Sequence, residues 1–255
     1  MDRLLITCEH GGRRVPPRYR TLFAEHGALL RTHRGWDFGA LQLAREMAAA
    51  FAAPLHASTT TRLLIDLNRS IGHRQLYSEA TRTLGAAERA EIASRYHRPH
   101  RDGVLAEVQR ASDLGQRVVH IASHSFTPVW DGAVRNADVG LLYDPGRPGE
   151  RLLAARWRKA LVHRWPGLKV RRNYPYAGRS DGLTALLRGL HADDAYVGIE
   201  LEVNQRHVLR GGRAWAALRC ALIDTLREAL EETKPPPGSV AERTEAAGAQ
   251  AHTAA

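Results

Sequence analysis

The residue types that do acid–base and metal chemistry gather in a few short segments of this chain. They are Glu9-His10-Gly11-Gly12, Asp66-Leu67-Asn68-Arg69, Ser123-His124-Ser125, and Glu200, Glu202 and Asn204 in one apolar run, with Asp37 following His33 and Trp36. Two imidazoles, one carboxylate ligand and a second, free carboxylate are the usual equipment of a hydrolytic zinc site, where three protein ligands leave one position for water. The ion lowers that water's pKa and polarises a carbonyl, while the free carboxylate carries the proton to the leaving nitrogen. Each residue also has a plainer reading: a strand-end histidine as a hydrogen-bonding group, a strand glutamate facing solvent, Asp37 as the N-cap of the helix it precedes. Their common placement at strand exits favours the chemical reading, because open α/β sheets put their sites in the crevice beyond the carboxyl ends of the strands. Gly11 and Gly12 are expected to let the loop after His10 turn tightly.

The elements that must position these groups follow from hydrophobic period. Short apolar, β-branched runs predict strands at Leu4–Thr7, Pro54–Ala57, Leu63–Leu67, Val118–Ala122, Val139–Leu142, Leu168–Arg171 and Tyr196–Leu201. Apolar residues three and four apart predict helices at Phe38–Phe51, Ala86–Arg110, Glu150–Arg164 and Ala214–Glu231. Strands alternating with helices imply an α/β fold, a three-layer α/β/α sandwich around a mainly parallel mixed sheet. Residues 1–233 read as one domain; 234–255, which open on three consecutive prolines and continue in small polar residues without period, read as a disordered tail.

Composition narrows the class. At 44% hydrophobic and 25% charged residues the chain can bury a sizeable core. Its net charge of +10 is carried almost wholly by scattered arginines, the only lysines being Lys159, Lys169 and Lys234, so no nucleic-acid partner is expected. Cys8 and Cys220 lie far apart without CxxC spacing, and no apolar run reaches the length of a membrane span or forms a signal peptide. A cytoplasmic protein without a membrane partner is the expectation. Nucleophile elbow, phosphate loop and HExxH helix are all missing from the sequence.

Seven segments in order, CEHGGRRVP, GWDFGA, RLLIDLNR, YHRPH, ASHSFTP, NYPYAG and IELEVNQ, resemble the N-formylglutamate amidohydrolase family over roughly residues 4 to 205. More distantly the pattern is similar to zinc carboxypeptidases and zinc-dependent cell-wall amidases, and a fold like that of the phosphorylase/hydrolase group is implied. The resemblance implies His10, Asp37 and His124 as ligands of Zn2+ or another first-row divalent metal, with Glu9 the rival of Asp37. It implies Glu202 as general base, with Glu200 its rival. Asn68 and Arg69 match a pair that binds a substrate carboxylate, for which a planar guanidinium suits better than an ammonium; Arg135 and Asn173 are further candidates for that pocket. The implied substrate is a small N-acyl amino acid, foremost N-formyl-L-glutamate, cleaved to formate and L-glutamate. The segment from Arg179 to Asp194 fixes no particular acyl group. A peptidase or cell-wall amidase using the same site is the alternative enzyme, and a basic module binding RNA or an acidic partner the non-enzyme alternative. His97 and His100 of YHRPH lie three residues apart and could share a helix face, with Pro99 between them; they are not counted as ligands.

Overall fold

The computed structural model describes residues 2–231. The expected disordered tail at 234–255, with the last two residues assigned to the domain, lies outside the described residues. A six-stranded sheet has the order β2 (Leu55–Ala57), β1 (Arg3–Cys8), β3 (Val118–Phe126), β8 (Tyr196–Asn204), β6 (Val139–Leu142), β7 (Val170–Arg172). The first four strands are mutually parallel, β6 runs antiparallel to β8, and β7 is parallel to β6. The sheet is therefore mixed and mainly parallel, as the sequence implied.

Helices cover both faces, which explains why β3 is buried at every position. Ile6, Val119, Ile121, Val197, Ile199 and Leu201 turn to one side, against α2 (Ala40–Phe51), α5 (Pro148–Arg164) and α8 (Gly212–Glu231). Leu5, Val118 and Tyr196, one residue out of phase, turn to the other side against α4 (Arg98–Asp113) and α6 (Leu183–Leu190). The alternation also sorts the polar residues. His120, His124, Glu200 and Glu202 fall on the α4/α6 side, and the register pairs His124 with Glu202 on adjacent strands.

Two sequence expectations are corrected. Leu63–Leu67 is not a strand but a buried, turn-rich segment: Leu64 N–H bonds to the Thr61 carbonyl, Asp66 N–H to that of Leu76, and the apolar side chains join Tyr19, Phe23 and Ile92 in a second core beside the sheet. A short apolar run fits a strand and such a core equally well. The helix expected over Ala86–Arg110 is divided into α3 (Ala86–Ile92), a π-helical turn (Ala93–His97) and α4. A two-stranded hairpin, β4 (Val129–Trp130) with β5 (Ala133–Val134), was not foreseen. The remaining described helices are the short α1 (Gly27–Leu30) and α7 (Gln205–Arg210) and two 3-10 helices, Pro17–Tyr19 and Thr21–His26. None of the described helices is long and apolar enough to cross a membrane.

Buried on the sheet face below the site, His120 lies between the Thr7 hydroxyl (2.9 Å from Nε2) and the Tyr196 hydroxyl (2.7 Å from Nδ1). Burial pushes its pKa down to about 4, so the folded state holds it neutral. The unfolded chain, with an ordinary imidazole, takes up a proton that the fold refuses. Stability from this group is thus complete above about pH 6.5 and is lost as pH falls toward 4, by roughly 3 kcal/mol in all. Urea unfolding in chelator should show His120→Gln flattening the pH dependence across that window; an unchanged slope would refute the assignment.

Candidate active site

Parallel strands β1, β3 and β8 end along one edge of the sheet, and a cavity of about 550 Å³ opens there. His10 follows β1, and its carbonyl accepts from the Asp37 N–H at 2.9 Å, which ties the loop before α2 to the end of β1. Asp37 is not the helix cap: Gly39, at φ 76°, occupies that position and no side chain caps it. Neither Gly11 nor Gly12 has positive φ. Gly12 is needed instead for close approach, since a Cβ there would lie 2.7 Å from the Thr59 carbonyl oxygen.

Of the sequence candidates, His10, Asp37 and His124 come together. Each offers one donor atom, all lying within 4.8 Å of one another, and all three residues are buried. Asp37 Oδ2 is 3.0 Å from His124 Nδ1 and 3.4 Å from His10 Nδ1. Glu9 lies behind this cluster, its Oε2 3.2 Å from His124 Nε2 and its Oε1 3.5 Å from His100 Nε2. Asp66 stands behind His10 in the same way, 2.7 Å from Nε2, and is itself gripped by Arg62 at 2.6 Å. Arg62 also reaches Asp37 Oδ1 at 3.4 Å.

The charge states follow from these contacts. Burial works to raise the pKa of Glu9, Asp37 and Asp66, yet the neighbouring imidazoles, with Arg62 for the two aspartates, hold all three below the carboxylate range. His124 is driven upward by Asp37 and Glu9 against the opposing effect of its burial. Three buried carboxylates thus surround two imidazoles whose outer nitrogens already face Glu9 and Asp66. A cation between the two Nδ1 atoms and Asp37 Oδ2 would take the place of the proton that His124 otherwise shares with Asp37, while Glu9 and Asp66 stay behind the outer nitrogens. The donor set fits a divalent metal with nitrogen and oxygen ligands.

Glu202 is buried beside this cluster, one of its oxygens without a hydrogen-bond partner among the described residues, and it lines the cavity. Burial, reinforced by Asp37 and Glu200 and opposed by His124 and Arg62, pushes its pKa up to about 8. Glu200 lines the cavity too, but its Oε1 accepts from the Thr184 hydroxyl at 2.5 Å.

The four residues expected in the substrate pocket separate. Asn68 and Arg69 line the cavity; the Asn68 side-chain Oδ1 accepts from Leu183 N–H at 2.7 Å, and Arg69 Nη1 donates to the Asp181 carbonyl while its Nε is buried without a partner among the described residues. Asn173 does not line it. It sits at φ 51°, a conformation asparagine tolerates, and its side-chain oxygen accepts from Tyr143 N–H and Gly178 N–H, so its work is to shape a turn. Arg135 is not in the cavity wall either: it donates to the Tyr176 hydroxyl at 3.1 Å and stacks on Trp130 and Tyr176. Tyr176, which the sequence reading overlooked, lines the cavity. Its segment crosses Gly140 of β6 so closely that a Cβ there would overlap the Tyr174 carbonyl oxygen.

A three-layer α/β/α sandwich with its cleft at the carboxyl edge of the parallel strands is the arrangement in which open α/β sheets carry their sites. The chain belongs to the N-formylglutamate amidohydrolase family, whose model matches residues 2–209. It is similar to the structure of gene product Atu2144 from Agrobacterium tumefaciens, with 29% identity, 90% of each chain covered and a TM-score of 0.75. The structure of an N-formylglutamate amidohydrolase from Ralstonia eutropha JMP134 shares the fold at 20% identity, with 89% of this chain and 93% of that one covered and a TM-score of 0.68. Among curated proteins none matches the chain.

Proposed function

We propose that this protein is a metal-dependent amidohydrolase that cleaves the amide of a small N-acyl amino acid, foremost N-formyl-L-glutamate, releasing formate and L-glutamate. The observation that carries the reading is the convergence of His10, Asp37 and His124 within 4.8 Å beside a buried, unpartnered Glu202 carboxyl. These three residues would hold the ion, zinc or another first-row divalent metal; two imidazoles and a carboxylate match the set that hydrolytic zinc sites use with a fourth position left for water. When bound, such an ion supplies Lewis acidity, polarising the amide carbonyl and making water more acidic.

The chain's own residues do the rest. Glu202 accepts the proton of the attacking water and delivers it to the departing amine nitrogen; a carboxyl whose proton affinity is raised by burial serves in both directions. Arg69, with one edge fixed on the Asp181 carbonyl, presents its remaining N–H groups to the carboxylate of the amino acid. The Asn68 amide N–H groups, whose oxygen partner is already engaged by Leu183, are available to the substrate backbone. The six carboxylates lining the cavity, Asp37, Asp66, Glu79, Asp181, Glu200 and Glu202, outnumber its five arginines and oppose a polyanionic ligand, which counts against the RNA-binding alternative.

Elemental analysis of the purified protein, with hydrolysis of N-formyl-L-glutamate, other N-acyl amino acids and short peptides before and after chelation, tests this reading. Activity that survives metal removal would overturn it, and preference for peptides would shift it to the peptidase alternative. Arg69→Lys separates binding from chemistry: a point charge cannot form the paired hydrogen bonds, so KM for the N-acyl amino acid should rise by about tenfold or more, the equivalent of about 1.5 kcal/mol or more for a bond to a charged group. An unchanged KM in steady-state kinetics would remove Arg69 from the pocket.

A further inference from the structure

The YHRPH segment, whose role the proposed mechanism leaves open, lies where the helix between α3 and α4 widens. Over Ala93–His97 the backbone is π-helical, with Arg98 N–H bonding to the Ala93 carbonyl five residues back. Such a turn accommodates Pro99, which has no N–H to give and whose ring crowds a regular preceding turn. Beyond the widened turn, the buried His97 and the half-buried His100 reach two different residues behind the cavity wall. His97 Nε2 lies 2.7 Å from the Arg69 carbonyl oxygen, and Arg101, one residue beyond His100, donates to the Leu67 carbonyl at 3.2 Å. His100 instead reaches Glu9, 3.5 Å from Oε1, while the other oxygen of Glu9 is 3.2 Å from His124.

Glu9 is fully buried, and the imidazoles of His100 and His124 are its polar neighbours at ion-pair distance among the described residues. A carboxylate so placed holds its geometry only if both oxygens are engaged. A ligating imidazole is in turn oriented by the group behind its other nitrogen. From these contacts we infer that His100 is a positioning residue for the metal half of the site, acting through Glu9 on His124, and that His97 is a positioning residue for the anion-binding half, acting through the Arg69 backbone. One widened helical turn supports both halves separately. This inference rests on the metal and Arg69 assignments proposed above.

The test uses full-length, metal-free protein and Zn2+ alone, its affinity read by competition with a chromophoric chelator, alongside steady-state kinetics on the metal-saturated enzyme. His100→Leu keeps the bulk but removes the nitrogen, and should weaken Zn2+ binding about 10- to 100-fold. His100→Gln returns an N–H near the Nε2 position and should recover most of the affinity. His97→Leu should leave Zn2+ affinity at the wild-type level and lower kcat/KM about tenfold or more, chiefly through KM. If the wild type takes up no Zn2+, the metal assignment itself fails. If the wild type binds and His100→Leu binds equally well, or His100→Gln recovers nothing, the role given to His100 is wrong. If His97→Leu weakens Zn2+ binding as much as His100→Leu does, the division of labour is wrong. Should His100→Leu fail to fold, His100→Gln against His100→Asn carries the same test, because the shorter amide falls short of Glu9: weaker binding by Asn supports the inference and equal binding overturns it.

Discussion

Glu202→Gln is expected to fold, to carry metal at the wild-type level and to lose turnover by about 10²- to 10⁴-fold, the range for removing a positioned general acid–base group. The substitution keeps the shape of the side chain and removes only its capacity to take and return a proton. Because Glu202 lies outside the set of donor atoms that converge within 4.8 Å, its loss should not release the ion. The neighbour two residues back makes the test sharp: Glu200 is engaged by Thr184, whereas Glu202 has an oxygen without a partner. Glu200→Gln should therefore keep far more activity. If kcat instead collapses in Glu200→Gln and survives in Glu202→Gln, the base has been misassigned.

His124→Ala should lose metal and activity together. Its removal takes away one of the three proposed ligands and at the same time strips Glu9 and Asp37 of a shared partner, leaving buried carboxylates to repel one another. The Lewis acidity forfeited is several kcal/mol, so kcat/KM should fall about 10³-fold or more at ~1.4 kcal/mol per decade. Elemental analysis and assay of the same preparation decide the matter. A variant with full metal content and little activity would place His124 outside the ligand set.

The parts of the fold legible in the sequence were those covered on both faces. β1, β3 and β8 read as strands because helices on each side demand near-continuous apolar residues, and their exits marked His10, His124 and Glu202 as sharing one edge. What stayed hidden depends on contacts between distant segments. Asp66 lies in a run, RLLIDLNR, whose apolar residues pack in the second core, and no local pattern reports that its carboxylate meets His10. An Arg four residues before an Asp in that run was the available clue to the Arg62–Asp66 pair. Glu9 was weighed as a ligand, but only the fold shows it behind His124, engaged with His100. For Asn173, no local pattern reports that its backbone is left-handed and that its side-chain oxygen accepts from two backbone amides off the cavity wall.

The stack of Arg135 on Trp130 gives the molecule an optical reporter. Trp130 is on the cavity wall and 44% exposed, edge-on to the His33 ring with centroids 5.6 Å apart, whereas Trp157 and Trp215 are buried and the partly exposed Trp36 and Trp165 lie off the cavity wall. An indole so placed, between a cation and water, senses polarity at the entrance, and its emission can follow a molecule entering the cleft without any label.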